Sequence, residues 1–137
     1  MPLVRISMRA DTPAQRAIAD GVHQGMVDAI GIPAGDRFQV IEALPADSLI
    51  ADPDYLGVAR QNVVIVQITL ARGRSAELKG TLFAAIADNL EKVGVRREDV
   101  MVVLTETGRE DWSLGNGEQQ LLNEELLKKH GWTPPAS

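Results

Sequence analysis

Two stretches of this chain lie over each other without a gap: GIPAGDRFQV, from Gly31 to Val40, and GVRREDVMVV, from Gly94 to Val103. They share a glycine, an aspartate and the final valine in register. Ahead of the first, Ile18, Val22, Met26 and Ile30 recur every four residues; ahead of the second, Leu78, Leu82, Ile86 and Leu90 do the same. Apolar residues four apart share one helix face. Each helical row has a strand-like run on either side. Strand, helix, strand, given twice, leaves few folds open, because parallel strands need a helical crossover and such crossovers are right-handed. The expected fold is α/β (α+β): a duplicated β-α-β unit with a four-stranded mixed sheet and two helices on one face.

The boundaries follow from local signals. Leu3-Val4-Arg5-Ile6-Ser7-Met8 alternates apolar and polar and predicts a half-buried strand from Val4 to Met8. Thr12-Pro13 predicts a helix start, with threonine as N-cap and proline in the first turn. Gly31 ends that helix, with Pro33 just beyond, and Phe38 to Ile41 is the next strand. Asn62 to Leu70 is rich in β-branched residues and predicts a more central strand. Ser75 caps the second helix, Glu77 suits its N-terminus, Gly94 ends it, and Val100 to Leu104 closes the unit. The two units cover about 2–42 and 62–106 of a single domain spanning 1–137. Between them, Leu44 to Arg60 is a connector with room for a short strand. After them, the segment 107–131 is a loop and then an amphipathic helix from Gly117 to His130, followed by a loose tail from Trp132 to Ser137. The sheet face without helices is expected to be apolar and buried against other subunits.

Composition narrows the function. The chain has no cysteine, which excludes disulfides, thiolate catalysis and cysteine-ligated metal. Its formal net charge of -5 argues against a nucleic-acid partner. No apolar run is long enough to span a membrane, and the start lacks the pattern of a signal peptide. A cytoplasmic protein is expected. Two histidines without ligand spacing give no metal site, and no cofactor is called for.

Four features carry chemistry. Removal of Met1 would give Pro2 a free secondary amine at the head of an ordered strand. An α-amine ordinarily titrates near pH 8, within reach of acid–base work; the plain alternative is a proline that only starts an edge strand. Arg72-Gly73-Arg74 lies where the long strand meets the second helix. Two guanidiniums aimed one way beside a helix N-terminus make a carboxylate site; otherwise they are two solvated arginines. Asp36 sits in a Gly-Asp-Arg turn, where it either bonds its own backbone or serves a group nearby. Trp112 and Leu114, in the polar run 110–117, wall a pocket or plug a subunit contact. His23 lies off the apolar row of its helix.

Together these parts resemble the tautomerase superfamily, and within it the malonate semialdehyde decarboxylase branch. The resemblance rests on Met1-Pro2-Leu3, Gly31 to Gln39, Arg72-x-Arg74-Ser75 and the DWSLGNG run from Asp111 to Gly117. It implies a homotrimer, removal of Met1 and action on small oxo-carboxylates without a cofactor. It also implies roles: Pro2 as acid or base, Asp36 as its assistant or as positioner of water, Arg72 and Arg74 as holders of the substrate carboxylate. Trp112 and Leu114, with Phe38, would form the apolar wall of the binding site. Three positions depart from the family pattern: Phe38 lacks a hydroxyl, Leu114 replaces an aromatic residue, and Gly73 replaces proline. Decarboxylation or hydration of a 3-oxo or unsaturated acid, keto-enol tautomerisation, and non-catalytic binding by a trimer are the three activities compatible with this layout.

Overall fold

Alternation at the start of the chain decides the sheet. In the computed structural model, which describes residues 1–132, β1 (Pro2–Arg9) buries Val4, Ile6 and Met8 on one side and turns Leu3 and Arg5 to the other. The rest of the predicted tail, 133–137, lies outside the described residues. β2 (Gln39–Leu44) pairs parallel with one edge of β1, and β3 (Val64–Ala71) pairs antiparallel with the other. β4 (Val100–Thr107) runs parallel to β3. The strand order is β2-β1-β3-β4. Each β-α-β unit thus supplies one parallel pair, and the halves join antiparallel through β1 and β3. The β-branched run is central, as expected.

Helices α1 (Gln15–Ile30) and α2 (Ala76–Glu91) cover one sheet face. Ile18, Val22 and Met26 from α1, and Leu82, Ile86 and Leu90 from α2, are completely buried over Ile6, Met8, Val66 and Ile68. Each such side chain contributes about 1.5–3 kcal/mol of burial. Gly21 and Gly25 let the helices approach closely. A Cβ added at Gly25 would stand 3.2 Å from Ile86 Cγ1, and one at Gly21 would stand 3.3 Å from Asn89 Cβ. Asn89 Nδ2 donates to the Gly21 carbonyl at 3.0 Å across the same crossing. No helix among the described residues is long and apolar enough to cross a membrane.

Several expectations need correction. α1 does not start on Thr12: its N-cap is Ala14, in the left-handed region at φ 58, with no side-chain cap bond. Thr12 is instead buried and closes a turn, its N–H donating to the Arg9 carbonyl at 3.0 Å. Ser75 does cap α2, accepting from the Leu78 N–H at 3.1 Å. α2 ends at Glu91, and Gly94 follows at φ 96. β4 continues past Leu104 to Thr107. The connector holds two short 3-10 turns, Ala46–Ser48 and Tyr55–Gly57, and no strand among the described residues. The C-terminal helix is only α3 (Glu124–Lys129), capped by Asn123 and preceded by a 3-10 turn at Gln120–Leu122. Asn123 Oδ1 takes the Leu126 N–H at 3.1 Å, which breaks one long helix into two short pieces.

The face without helices is amphipathic, not apolar. Leu3, Val40, Met101 and Val103 are exposed there. Register sets Arg5 between Val40 and Gln67 in one row, and Arg5 bonds Glu42 at 2.9 Å. A polar stripe therefore divides the apolar residues.

The helix crossing predicts opposite signs for two glycine substitutions. Gly25→Val must displace Ile86 and should cost about 1–3 kcal/mol. Gly80→Ala, on the open side of α2 with nothing within 4 Å of the new Cβ, should add about 0.5–1 kcal/mol. Urea-unfolding midpoints compare the two; a shift in the same direction for both would contradict the close crossing.

Candidate active site

Pro2 opens β1, is buried, and pairs with Leu70 of β3. The start of the chain is therefore fixed by the sheet instead of frayed. Met1 extends one residue further and brings its amine to 3.3 Å from Asp36 Oδ2. Asp36 reaches this point on the loop between α1 and β2. Gly31, at φ 70, turns the chain out of α1, Ile32 anchors in the core, and the Asp36 N–H donates to the Pro33 carbonyl at 2.9 Å. The Asp36 side chain is only 4% exposed. The approach of the amine is an ion pair, and neither carboxylate oxygen has a hydrogen-bond partner among the described residues.

The duplicated aspartate behaves differently. Asp99 is also buried, but its Oδ1 accepts the Gln61 N–H at 2.7 Å and its Oδ2 lies 3.6 Å from Arg96 Nη1. Gln61 comes just ahead of β3, as Met1 comes just ahead of β1. One half of the fold saturates its aspartate with backbone and arginine. The other half aims its aspartate at the terminal nitrogen.

Charges at this end of the sheet shift one another. Burial pushes the Asp36 carboxyl above its ordinary value, while the terminal amine, His23 and Arg74 hold it down. Burial also pulls the terminal amine below its ordinary value, with Asp36 opposing. Asp36 raises the amine's pKa, as its position suggests, but the loss of water outweighs it. Arg74 belongs to the same cluster. Burial lowers its pKa, Glu106 and Asp36 raise it, and its Nη1 donates to the Ala71 carbonyl at 3.0 Å.

Arg72 does not join this cluster. It is exposed, and its N–H donates to the Thr107 carbonyl at 2.8 Å. The strand alternation that would aim both arginines one way stops at Ala71, and Gly73 at φ 136 turns the chain between them. Glu106, which the sequence does not single out, ties this corner together. It bonds Lys79 Nζ at 2.9 Å, and Lys79, the Gly73 N–H and Arg72 depress its carboxyl pKa.

The predicted wall forms separately. Phe38, Trp112 and Leu114 meet Leu3, Thr69 and Thr107 around a pocket of about 480 Å³ on the face without helices. Leu3 places this pocket one residue along β1 from Pro2. Thr107 orients the indole: its Oγ1 accepts from Trp112 Nε1 at 2.7 Å and donates to the Leu70 carbonyl at 3.2 Å. Gly115, Asn116 and Gly117 all have positive φ. They turn the chain back so that Gln120 Oε1 accepts the Leu114 N–H at 2.8 Å. A second hollow, about 260 Å³, lies around Met1, Asp36, Pro33, Leu127 and Trp132. The predicted residues thus form a charged cluster and an apolar pocket on either side of the start of β1.

The raised Asp36 carboxyl fixes a pH dependence. The folded state binds that proton more tightly than the unfolded chain, so stability falls as pH rises from the ordinary value of 3.8 through the folded one. Asp36→Asn is therefore expected to be more stable than the native chain at pH 7 and to lose that advantage at pH values below 3.8. Thermal melts of both proteins across pH test this; a variant less stable at neutral pH would contradict it.

Comparison with known proteins gives the family of the chain. A profile of the tautomerase enzyme family matches residues 36–115, and a second tautomerase enzyme profile matches residues 2–59. The chain is 36% identical over 126 residues to the probable tautomerase YusQ of Bacillus subtilis strain 168, covering 89% of this chain and 99% of that protein. It is 31% identical to the probable tautomerase YrdN of the same strain, over 92% of this chain and all of that one. Among solved structures, FG41 malonate semialdehyde decarboxylase inhibited by 3-bromopropiolate superposes with a TM-score of 0.85. It is 40% identical, with 90% of this chain and 96% of that one covered. A malonate semialdehyde decarboxylase solved as wild type, as a first-position proline-to-alanine variant and in inactivated form gives 0.82. It is 31% identical, with 90% and 98% covered. A fused 4-OT symmetric trimer gives 0.70 at 25% identity, with 85% and 94% covered. Similar over most of its length to malonate semialdehyde decarboxylases, the chain belongs to the tautomerase family of enzymes.

Proposed function

We propose that this enzyme loses Met1 and uses the Pro2 nitrogen, beside Asp36 and Arg74, to decarboxylate a small 3-oxo acid. One observation carries the reading: the buried Asp36 carboxylate has no hydrogen bond from the described residues and is met at the head of β1 by an amine, that of Met1, 3.3 Å away. Its duplicate, Asp99, is saturated by structural partners. A buried acid held by an ion pair without hydrogen bonds is costly, and such groups cluster where chemistry needs them. Two solved relatives are malonate semialdehyde decarboxylases, and one was studied as the corresponding proline variant.

The steps follow from the charges. Arg74 holds the substrate carboxylate, and Arg72 at the strand end adds long-range attraction in a protein of net negative charge. Protonated Pro2 donates a hydrogen bond to the 3-oxo group. The bond between the carboxylate carbon and its neighbour breaks, its electron pair moves toward the polarised carbonyl, and carbon dioxide leaves. The enolate then takes one proton and becomes the aldehyde. Asp36 sustains the protonated nitrogen, or, with an unsaturated acid, draws a proton from the adding water. Phe38, Trp112 and Leu114 exclude water from the developing enolate, where fixed dipoles and charges act most strongly. Homotrimer formation fits the exposed Leu3, Val40, Met101 and Val103, and a fused 4-OT relative is a trimer.

A second reading, keto-enol tautomerisation, has one observation in its favour. Burial lowers the pKa of the Met1 amine at this end of β1; a Pro2 nitrogen made neutral in the same way would act as a base.

Turnover of 3-oxopropanoate, run beside phenylpyruvate tautomerisation, separates the two. The decarboxylase reading expects loss of the oxo acid that falls at least ~100-fold in Pro2→Ala and in Arg74→Ala. Pro2-dependent phenylpyruvate turnover without decarboxylation would favour the tautomerase. Intact mass showing Met1 retained in active protein would contradict both.

A further inference from the structure

We propose that His23 is a positioning residue, holding the 31–37 loop through the Ala34 carbonyl so that Asp36 faces the terminal nitrogen. The inference rests on the reading of Asp36 given above and extends it to a residue on α1. His23 is buried, 9% exposed, on the helix that carries the core row Ile18, Val22 and Met26. Its Nε2 lies 2.8 Å from the Ala34 carbonyl. A carbonyl can only accept, so Nε2 carries the proton. The loop has other supports: Ile32 sits in the core, and Arg37 reaches Asp20 Oδ1 at 2.6 Å. The Arg37–Asp20 contact is exposed, and Asp20 is shared with Arg16, so it contributes little. After Asp36, the buried Val4 N–H ties the chain to β1 through the Phe38 carbonyl at 2.9 Å; before Asp36, the His23 contact is the strap whose donor is a buried side chain.

The chemistry of the position supports the assignment. Burial at this point of α1 would be met by any apolar side chain of similar size. An imidazole there must find a partner, and the partner is two residues from Asp36. Loops are the mobile parts of a fold, whereas a site needs its groups held to about half an ångström. A stiff ring on a core helix supplies such a mount. The terminal amine lies 3.3 Å from Asp36 Oδ2, so a small displacement of the loop changes that distance directly.

The test reads the pKa of the terminal nitrogen by nitrogen-15 NMR. Asp36→Asn should lower it by about one pH unit or more, as loss of a close opposite charge does. His23→Leu should reproduce most of that fall, whereas His23→Gln, which keeps a donor near the Nε2 position, should stay near the native value. His23→Asn, polar but too short to reach Ala34, should behave like His23→Leu and stands in if that variant does not fold. In the native protein, the His23 ring should be the Nε2–H tautomer. A shift in Asp36→Asn without one in His23→Leu or His23→Asn would overturn the inference. So would equal falls in the glutamine and leucine variants, or an Nδ1–H tautomer. No shift in Asp36→Asn would instead overturn the reading of Asp36 and the inference with it.

Discussion

A carboxylate out of water beside an amine out of water is the interaction on which the site depends. Each group alone would shed its charge on burial. Together, with Arg74 in the same field, they oppose each other's shift, and the balance sets which of them holds a proton. That balance needs fixed distances, and the sheet supplies them. Pro2 is locked by its pairing with Leu70, Asp36 by a loop rooted in the core through Ile32, and Arg74 by its bond to the end of β3. The stability of the sheet and the electrostatics of the site are thus one problem.

The duplication explains how such a site arises in only one place. The fold is nearly symmetric: two parallel strand pairs joined through β1 and β3. The partners of the two matching aspartates are not. Ahead of β3 the main chain continues, and Asp99 receives the Gln61 amide. Ahead of β1, Asp36 meets the amine of Met1. Where the second unit follows β3 with Arg74 and Ser75, the first follows β1 with Thr12 and Pro13. The same scaffold therefore sets one aspartate against an amine and ties the other to the backbone.

Much of this was legible in the sequence, and the rest was hidden for physical reasons. Helical rows, the Ser75 cap and the matching Gly31 and Gly94 stretches define the units, because periodicity and caps are local signals. Thr12 looks like a cap but is consumed by a tertiary turn with Arg9. The last helix fails as a continuous element because Asn123 competes for the backbone. Arg72 and Arg74 look equivalent as letters; only the turn at Gly73 separates one from the other. The polar stripe on the outer sheet face comes from register, which sets Arg5, Gln67 and Glu42 on it from three different strands. His23 and Glu106 act through partners distant in sequence, Ala34 and Lys79, and no short pattern announces them.

On the proposed mechanism the mature chain begins at Pro2, and its nitrogen lies against Asp36 with Arg74 turned to a bound carboxylate. A crystal structure of the purified enzyme with a small unreactive dicarboxylate, such as malonate, tests it most directly. Density is expected to start at Pro2, with its nitrogen in contact with the Asp36 carboxylate and one ligand carboxylate on the Arg74 guanidinium. Met1 still in place, or Asp36 turned away from the nitrogen toward a backbone partner as Asp99 is, would contradict it.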